Sequence, residues 1–263
     1  MLDFFEFDNT FYSATPTLFA REFIKPRTRV VDQWVKVTTV NLDKDGASRL
    51  NKPEGKYSTV LSSIVRDGHA QRYYRLVDAL ANELKRYIRR RKNILVVGLG
   101  NAKMTADALG SLVVGKVEVT RKNGNGICTL CPSVYGVTGI ESFEMVSAVT
   151  RQILPSLIVA VDSLCSANES RLATAFQISD TGIIPGSGTG NAQPPLDKKS
   201  LGVEVVSVGV PLVVYASTLV KDANGDESKI DPTLVVTPKD IDLLVEDCAD
   251  IIAGAINSAV GKF

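Results

Sequence analysis

The sequence predicts an α/β fold, a three-layer α/β/α arrangement around a mainly parallel sheet. Residues 94–97 and 157–161 are short, continuous apolar runs rich in β-branched side chains, as strands covered by helices on both faces require, and 203–208 reads as another buried strand. Segments with helical spacing separate them, and strands alternating with helices build a parallel sheet. Glycines cluster after the apolar runs, at Gly98 and Gly100, at Gly136 and Gly139, and over 182–190. Open α/β sheets bind ligands in such loops, at the carboxyl ends of strands. A chain of 263 residues with 44% hydrophobic content can bury one sizeable core. We read an N-terminal extension over 1–30 and a single domain over 31–263.

The extension holds aromatics and turn formers, among them Phe4, Phe5, Phe7, Phe11, Tyr12, Pro16 and Pro26, without a sustained period. Over 34–42, Val35, Val37 and Thr39 alternate with Lys36 and Thr38, which predicts a half-exposed strand. Asp45-Gly46 punctuates it, and another strand is expected near 57–64. Leu76, Leu80, Leu84 and Ile88 lie on one helical face over 71–88. The basic run 89–92 closes that helix, where cations complement the helix dipole. After the strand 94–97 a helix is expected over 106–114. Cys128 and Cys131 fall in a short strand before Pro132. A second glycine loop, with Gly136, Thr138 and Gly139, leads into a helix through Phe143, Val146, Val149 and Ile153, stopped by Pro155. The strand 157–161 delivers Asp162 at its carboxyl end. The stretch 178–191 reads as a long glycine-rich loop, 203–208 as a buried strand, 211–219 as the start of a helix, and 238–260 as an amphipathic helix.

Charge and cysteine content exclude several classes. With 30 basic and 29 acidic residues the formal charge is +1, which gives no global case for binding nucleic acid or membranes. No run of eighteen apolar residues occurs, and the N-terminus lacks a secretory pattern, so the chain reads as cytoplasmic. Four cysteines in such a chain read as reduced thiols.

The familiar motifs fail one by one. Gly98-Leu99-Gly100 lacks the third glycine of a dinucleotide fingerprint, with Lys103 in its place and no well-placed acid except Glu118. Gly186 to Gly190 is followed by Asn191 and Ala192 rather than by the lysine and hydroxyl residue of a P-loop. Cys128 and Cys131 would need two more metal ligands, and residues three apart on a strand face opposite sides. Ser187 lacks the glycine two residues before it that a nucleophile elbow requires, and His69, the single histidine, lies ahead of a long helix. Two carboxylates remain, Asp107 and Asp162. Two acids brought together at strand ends cannot both ionise freely, so one can activate water while the other protonates a leaving amine. The bland alternative makes Asp107 a first-turn residue balancing a helix dipole and Asp162 a helix cap.

Several blocks occur in order: Gly98-Leu-Gly-Asn101, Thr105-Ala-Asp-Ala-Leu-Gly110, Gly136-Val-Thr-Gly-Ile140, Val161-Asp-Ser163, Ile178-Ser-Asp-Thr-Gly-Ile183 and Pro185-Gly-Ser-Gly-Thr-Gly-Asn191. In these the chain resembles the spore germination protease family, from about Trp34 to beyond Val214. The resemblance implies an endopeptidase that cleaves small acid-soluble spore proteins during germination, with its essential aspartates at Asp107 and Asp162. It also implies the fold of the hydrogenase maturation peptidases, a homotetramer, a zymogen that removes a short pro-segment, and a place in the spore core of a spore-forming bacterium. Glu22-Phe23-Ile24 matches the cleavage preference of that family as a self-processing site, with Glu6-Phe7 as the alternative.

The family has been described as metallo-type and as aspartic-type. A histidine often follows the first isoleucine of the Asp-Thr-Gly-Ile block, and here that place is Ile184. We therefore read a metal-free dyad without a cofactor, with the spore proteins as partners, no direct nucleic-acid contact and no membrane contact. Other departures are Ala106 and Ser111 where prolines are usual, and Ser163-Leu-Cys165 where small apolar residues are usual. The competing readings are a metal-dependent peptidase of the hydrogenase-maturation kind and a non-catalytic α/β binding protein. The expected site has both acids just beyond strand ends in one cleft. Gly98, Gly100, Asn101, Thr138, Gly139, Asp180, Thr181, Gly182, Gly186, Ser187, Gly188, Gly190 and Asn191 supply its loops, and backbone N–H groups of 182–191 face the oxyanion.

Overall fold

The computed structural model describes residues 26–187 and 193–261. Its elements in chain order are β1 (Arg27–Val30), β2 (Lys36–Leu42), α1 (Lys44–Leu50), β3 (Gly55–Leu61), α2 (Tyr73–Ile88), β4 (Asn93–Gly98), α3 (Leu109–Lys116), β5 (Gly126–Leu130), α4 (Tyr135–Thr138), α5 (Ser142–Ile153), β6 (Leu157–Ser166), β7 (Ala175–Ser179), α6 (Lys198–Leu201), β8 (Val205–Tyr215), α7 (Ala216–Asp222), β9 (Val235–Val236) and α8 (Ile241–Val260). The strands form one sheet in the order β1-β2-β3-β7-β8-β6-β4-β5, with β9 on β8.

Strand alternation divides the core into two clusters, one on each face of this sheet. Ile94, Val96, Leu157, Val159, Val161, Val206 and Val208 pack with Leu76, Leu80 and Leu84 of α2, Val113 of α3, and Ile252 and Ile256 of α8. Leu95, Val97, Ile158, Ala160, Leu164 and Val205 face the other way, toward Val146 of α5, with Leu50 and Leu201 at the margin. Three layers follow, as the continuous apolar runs require. Glu83 is a buried acid on α2, 1% exposed. It is held by the Ser58 hydroxyl at 3.1 Å and by Arg86 at 3.1 Å.

The sheet is mixed. β5, β4, β6 and β8 run parallel, while β1, β2, β3 and β7 join antiparallel beside them. The expected mainly parallel sheet is therefore confined to the half that carries the acids. β1 pairs with β2 from Arg27 onward, so the sheet begins inside the stretch assigned to the extension. Residues 1–25, with Glu22-Phe23 and Glu6-Phe7, lie outside the described residues.

Three further expectations are corrected. Asp45-Gly46 lies within α1, which Asp43 caps by accepting the Gly46 N–H at 2.9 Å. Residues 211–215 continue β8 rather than begin a helix. Pro211 sits opposite Leu164 where the register shifts between Leu164 and Cys165, and a bulge is where a strand tolerates proline. β6 runs on to Ser166, so Asp162 lies within a strand rather than beyond one.

Two glycines set how closely helix and sheet approach. A Cβ on Gly98 would lie 2.1 Å from the Gly110 carbonyl oxygen, and one on Gly110 would lie 2.3 Å from that of Leu99 and 2.7 Å from that of Val161. No side chain fits either place, because the obstacles are backbone. Substituting Gly110→Ala should destabilise the protein by at least about 1–3 kcal/mol, the usual cost of overpacking. Thermal unfolding would read this as a clear fall in Tm, and an unchanged Tm would contradict the packing.

Candidate active site

β4 is built to end abruptly. Ile94 to Val97 are at most 1% exposed and fill both core faces, and the chain then turns at two glycines. The Leu99 N–H donates to the Val161 carbonyl at 2.8 Å, extending the contact with β6 by one step. Gly100 has φ +96°, and a Cβ there would lie 2.1 Å from the Asp107 carbonyl oxygen and 2.8 Å from its Oδ1. Glycine is needed because the Asp107 carboxyl occupies that space.

Asp107 is held by its own loop. The Asn101 N–H donates to Asp107 Oδ2 at 2.7 Å, and the Asp107 N–H donates to the Met104 carbonyl at 2.8 Å. Asn101 Oδ1 in turn accepts the Lys103 N–H at 3.0 Å. The helix expected from Ala106 is a 3₁₀ turn over Thr105–Asp107 followed by α3. Asp107 thus projects from the connecting turn, half-buried, ahead of the helix.

Asp162 is positioned by the sheet. β4 pairs with β6 up to Gly98 opposite Val161, so Asp162 is the first β6 residue beyond the end of that neighbour. On the other flank it pairs with Gly209 of β8. It is 6% exposed. Alternation turns its side chain to the face of Ile158, Ala160 and Leu164, and no helix lies at this point for it to cap.

The electrostatics follow from burial. Desolvation pushes the Asp162 carboxyl up, with the nearby Asp107 charge adding to it, from an ordinary 3.8 to about 7. Desolvation also raises Asp107, opposed by the N–H of Asn101 that stabilises its charged form. The two carboxyls interact, and Asp162, the more deeply buried, is the one biased toward its protonated form. One ionised and one protonated carboxyl can take a proton from water and give one to a leaving group.

The remaining expected site residues divide into groups. Gly98, Gly100 and Asn101 form the Asp107 loop. Thr138 and Gly139 lie beyond the end of β5, exposed; the Thr138 hydroxyl donates to the Val134 carbonyl at 3.2 Å, and Gly139 ends α4 at φ +73°. Asp180 and Thr181 leave β7 at the amino end of the parallel strands, because β7 runs against β8. The carboxylate of Asp180 accepts the Lys56 N–H at 2.7 Å, and the Thr181 N–H bonds the Ser179 hydroxyl at 3.2 Å. These two tie the loop to β3 and β7 rather than to the acids. Gly182 passes close under Leu196, where a Cβ would lie 2.2 Å from the carbonyl oxygen. Ile183 then crosses the sheet face in the cluster that holds Ala160 and Leu164. Gly186 has φ +70°, and the Ser187 hydroxyl donates to the Ile184 carbonyl at 2.9 Å. Gly188, Gly190 and Asn191 lie outside the described residues.

Other chemistries stay dispersed. Among the described residues no three His, Cys, Asp or Glu side chains gather as a metal-binding group. Cys128 Sγ lies 3.6 Å from the Ile94 carbonyl oxygen, Cys131 is exposed, and His69 stacks edge-on against Trp34 at 5.3 Å. Sequence reasoning missed Gly110 and Gly209. Gly209 lies beside Asp162 in the sheet, where a Cβ would meet Leu164 Cγ at 2.7 Å. The signal was present, since a glycine inside an apolar strand run marks a close approach.

The germination protease family model matches residues 23–225. A germination protease of Clostridium perfringens is 34% identical, covering 88% of this chain and 86% of that one. The chain belongs to the germination protease family. It is therefore a protease acting on a protein substrate. Relatives include germination proteases of Caldanaerobacter subterraneus, 34% identical over 87% of this chain and 86% of that one, and of Oceanobacillus iheyensis, 37% identical over 72% and 56%. Among solved structures, a [NiFe] hydrogenase maturation protease from Thermococcus kodakarensis aligns with a TM-score of 0.46 and 19% identity, covering 68% of this chain and 99% of that one. Among the described residues no helix is long and apolar enough to cross a membrane.

The raised Asp162 fixes a pH signature. Between 3.8 and about 7 the folded chain holds a proton that the unfolded chain releases. Stability from this group is thus lost as pH rises through that window. Asp162→Asn, which cannot ionise, should match the parent near about pH 4 and exceed it near about pH 8, by on the order of a few kcal/mol. Urea unfolding at the two pH values checks this; a variant less stable than its parent at the higher pH would contradict it.

Proposed function

We propose that this protease is an endopeptidase of small acid-soluble spore proteins acting at germination, with Asp107 and Asp162 as an aspartic-type dyad. The observation that carries the reading is the junction of the two carboxyls at the end of β4, where burial separates their proton affinities. In the mechanism Asp107, the ionised member, draws a proton from water as the water attacks the scissile carbonyl. Asp162 supplies a proton to the departing amine, and passage of the proton gained by Asp107 to Asp162 restores the pair. Ile183 lies on the face to which Asp162 points, which supports the segment that begins at Gly182 as a wall of the cleft whose backbone N–H groups serve the oxyanion.

A donor set of two carboxylates favours the dyad over a metal centre. Ile184, at the place where a histidine is usual, is 39% exposed and apolar, and imidazole is the commonest transition-metal ligand. Self-processing at Glu22-Phe23, assembly as a homotetramer and a place in the spore core belong to the same proposal.

Asp107→Asn and Asp162→Asn should each lower kcat for cleavage of a purified small acid-soluble spore protein by at least about a hundredfold with folding preserved, the usual contribution of a general acid or base. Either variant cleaving at the parental rate would sink the dyad. Exhaustive dialysis against a chelator should leave kcat/KM unchanged. Loss of activity restored by a divalent metal would instead establish the metallo-type reading.

A further inference from the structure

At the pole opposite the acid pair, the amino ends of β4, β5 and β6 converge. The Gly126 N–H donates to the Lys92 carbonyl at 2.6 Å, which seats the 120–125 turn against the segment entering β4. The Asn93 side chain donates to the Ile153 carbonyl at 2.8 Å and so draws in the end of α5. Three stretches distant in sequence thereby bring Arg89, Arg90, Lys92, Arg121, Lys122 and Arg151 to one end of the molecule, all exposed.

Helix dipoles account for only part of this cluster: Arg151 lies in the last turn of α5 and Arg89 is the C-cap of α2, whereas Arg90, Lys92, Arg121 and Lys122 lie outside any helix. Arg91 is consumed inside the fold, donating to the Ser156 carbonyl at 2.9 Å and pairing with Glu204. Glu204 is also held by Lys198 at 3.4 Å. Among the described residues the other six cations have no carboxylate partner. Arg90 lies at φ +74°, and Asn123-Gly124 at φ +50° and +78° in the adjoining turn.

Contrary to the absence of nucleic-acid contact expected from the sequence, we propose that this basic pole is a docking surface for the phosphate backbone of duplex nucleic acid, read without sequence preference. A chain with a formal charge of +1 has no general attraction for polyanions, so six unneutralised cations at one end form a local field whose complement is a row of phosphates. Among the described residues no exposed aromatic side chain interleaves them to stack unpaired bases, which favours a duplex over a single strand. Among the described residues Leu154, 76% exposed, is the one large apolar side chain exposed beside them, too little to anchor a membrane. The surface is independent of the dyad and stands or falls apart from it.

The experiment is fluorescence anisotropy of a labelled mixed-sequence duplex with the full chain across a salt series. A variant carrying Arg89→Gln, Arg90→Asn, Lys92→Gln, Arg121→Gln and Lys122→Gln is compared with the parent. The parent should bind at low salt, with log K falling linearly against log salt. The variant should lose at least about tenfold in affinity, its slope shallower by about 0.9 for each phosphate contact removed. Should the fivefold variant fail to fold, the pairs Arg89→Gln/Lys92→Gln and Arg121→Gln/Lys122→Gln are measured separately, each with a matching thermal melt. The proposal is overturned if the parent does not bind duplex at low salt, or if folded variants bind as tightly as the parent. It is likewise overturned if polyglutamate or anionic phosphatidylserine vesicles bind the parent more tightly than the duplex does.

Discussion

The site depends on a close approach of bare backbone. Gly98 at the end of β4 and Gly110 at the start of α3 let helix and sheet meet where a Cβ on either would strike a carbonyl oxygen. The Leu99 N–H closes the junction on Val161. Because Val161 precedes Asp162, and the loop from Leu99 to Gly110 contains Asp107, this junction fixes the separation of the acids. Neither carboxyl carries the information that brings it to the other. The glycines do, and they act through what they lack.

Burial of an acid pair costs stability, and the fold confines that cost. Asp162 is nearly sealed within a strand, yet Asp107 keeps an N–H donor from Asn101. One carboxyl is thus pushed strongly toward its neutral form while the other retains a bond that favours charge. This asymmetry concentrates the desolvation penalty of the pair on one group. Gly209 contributes from the far side, where the absence of a side chain lets Leu164 lie across the strand beside Asp162.

Much of this was legible in the sequence. The continuous apolar runs at 94–97 and 157–161 announced doubly covered strands, and the glycines after the first announced the turn that holds Asp107. What the sequence concealed was long-range. The antiparallel half of the sheet arises because β7 returns against β8, and no local pattern in Ala175–Ser179 specifies the direction of its neighbours. Pro211 looked like a boundary because a bulge two strands away in sequence, at Leu164 and Cys165, is invisible until the strands pair. Asp180 and Thr181 shared a motif with the site glycines, yet their bonds hold the loop to β3 and β7 at the other end of the strands. Proximity in a motif is not proximity in space.

The two acids are also mounted on supports of unequal stiffness. Asp162 belongs to a ten-residue strand flanked by parallel neighbours, whereas Asp107 hangs on a short turn closed by a few hydrogen bonds. Local opening of such a turn requires far less free energy than separating central strands. On heating, the turn that carries Asp107 therefore opens before the sheet that holds Asp162, so the pairing of the two carboxyls is less stable than the fold as a whole.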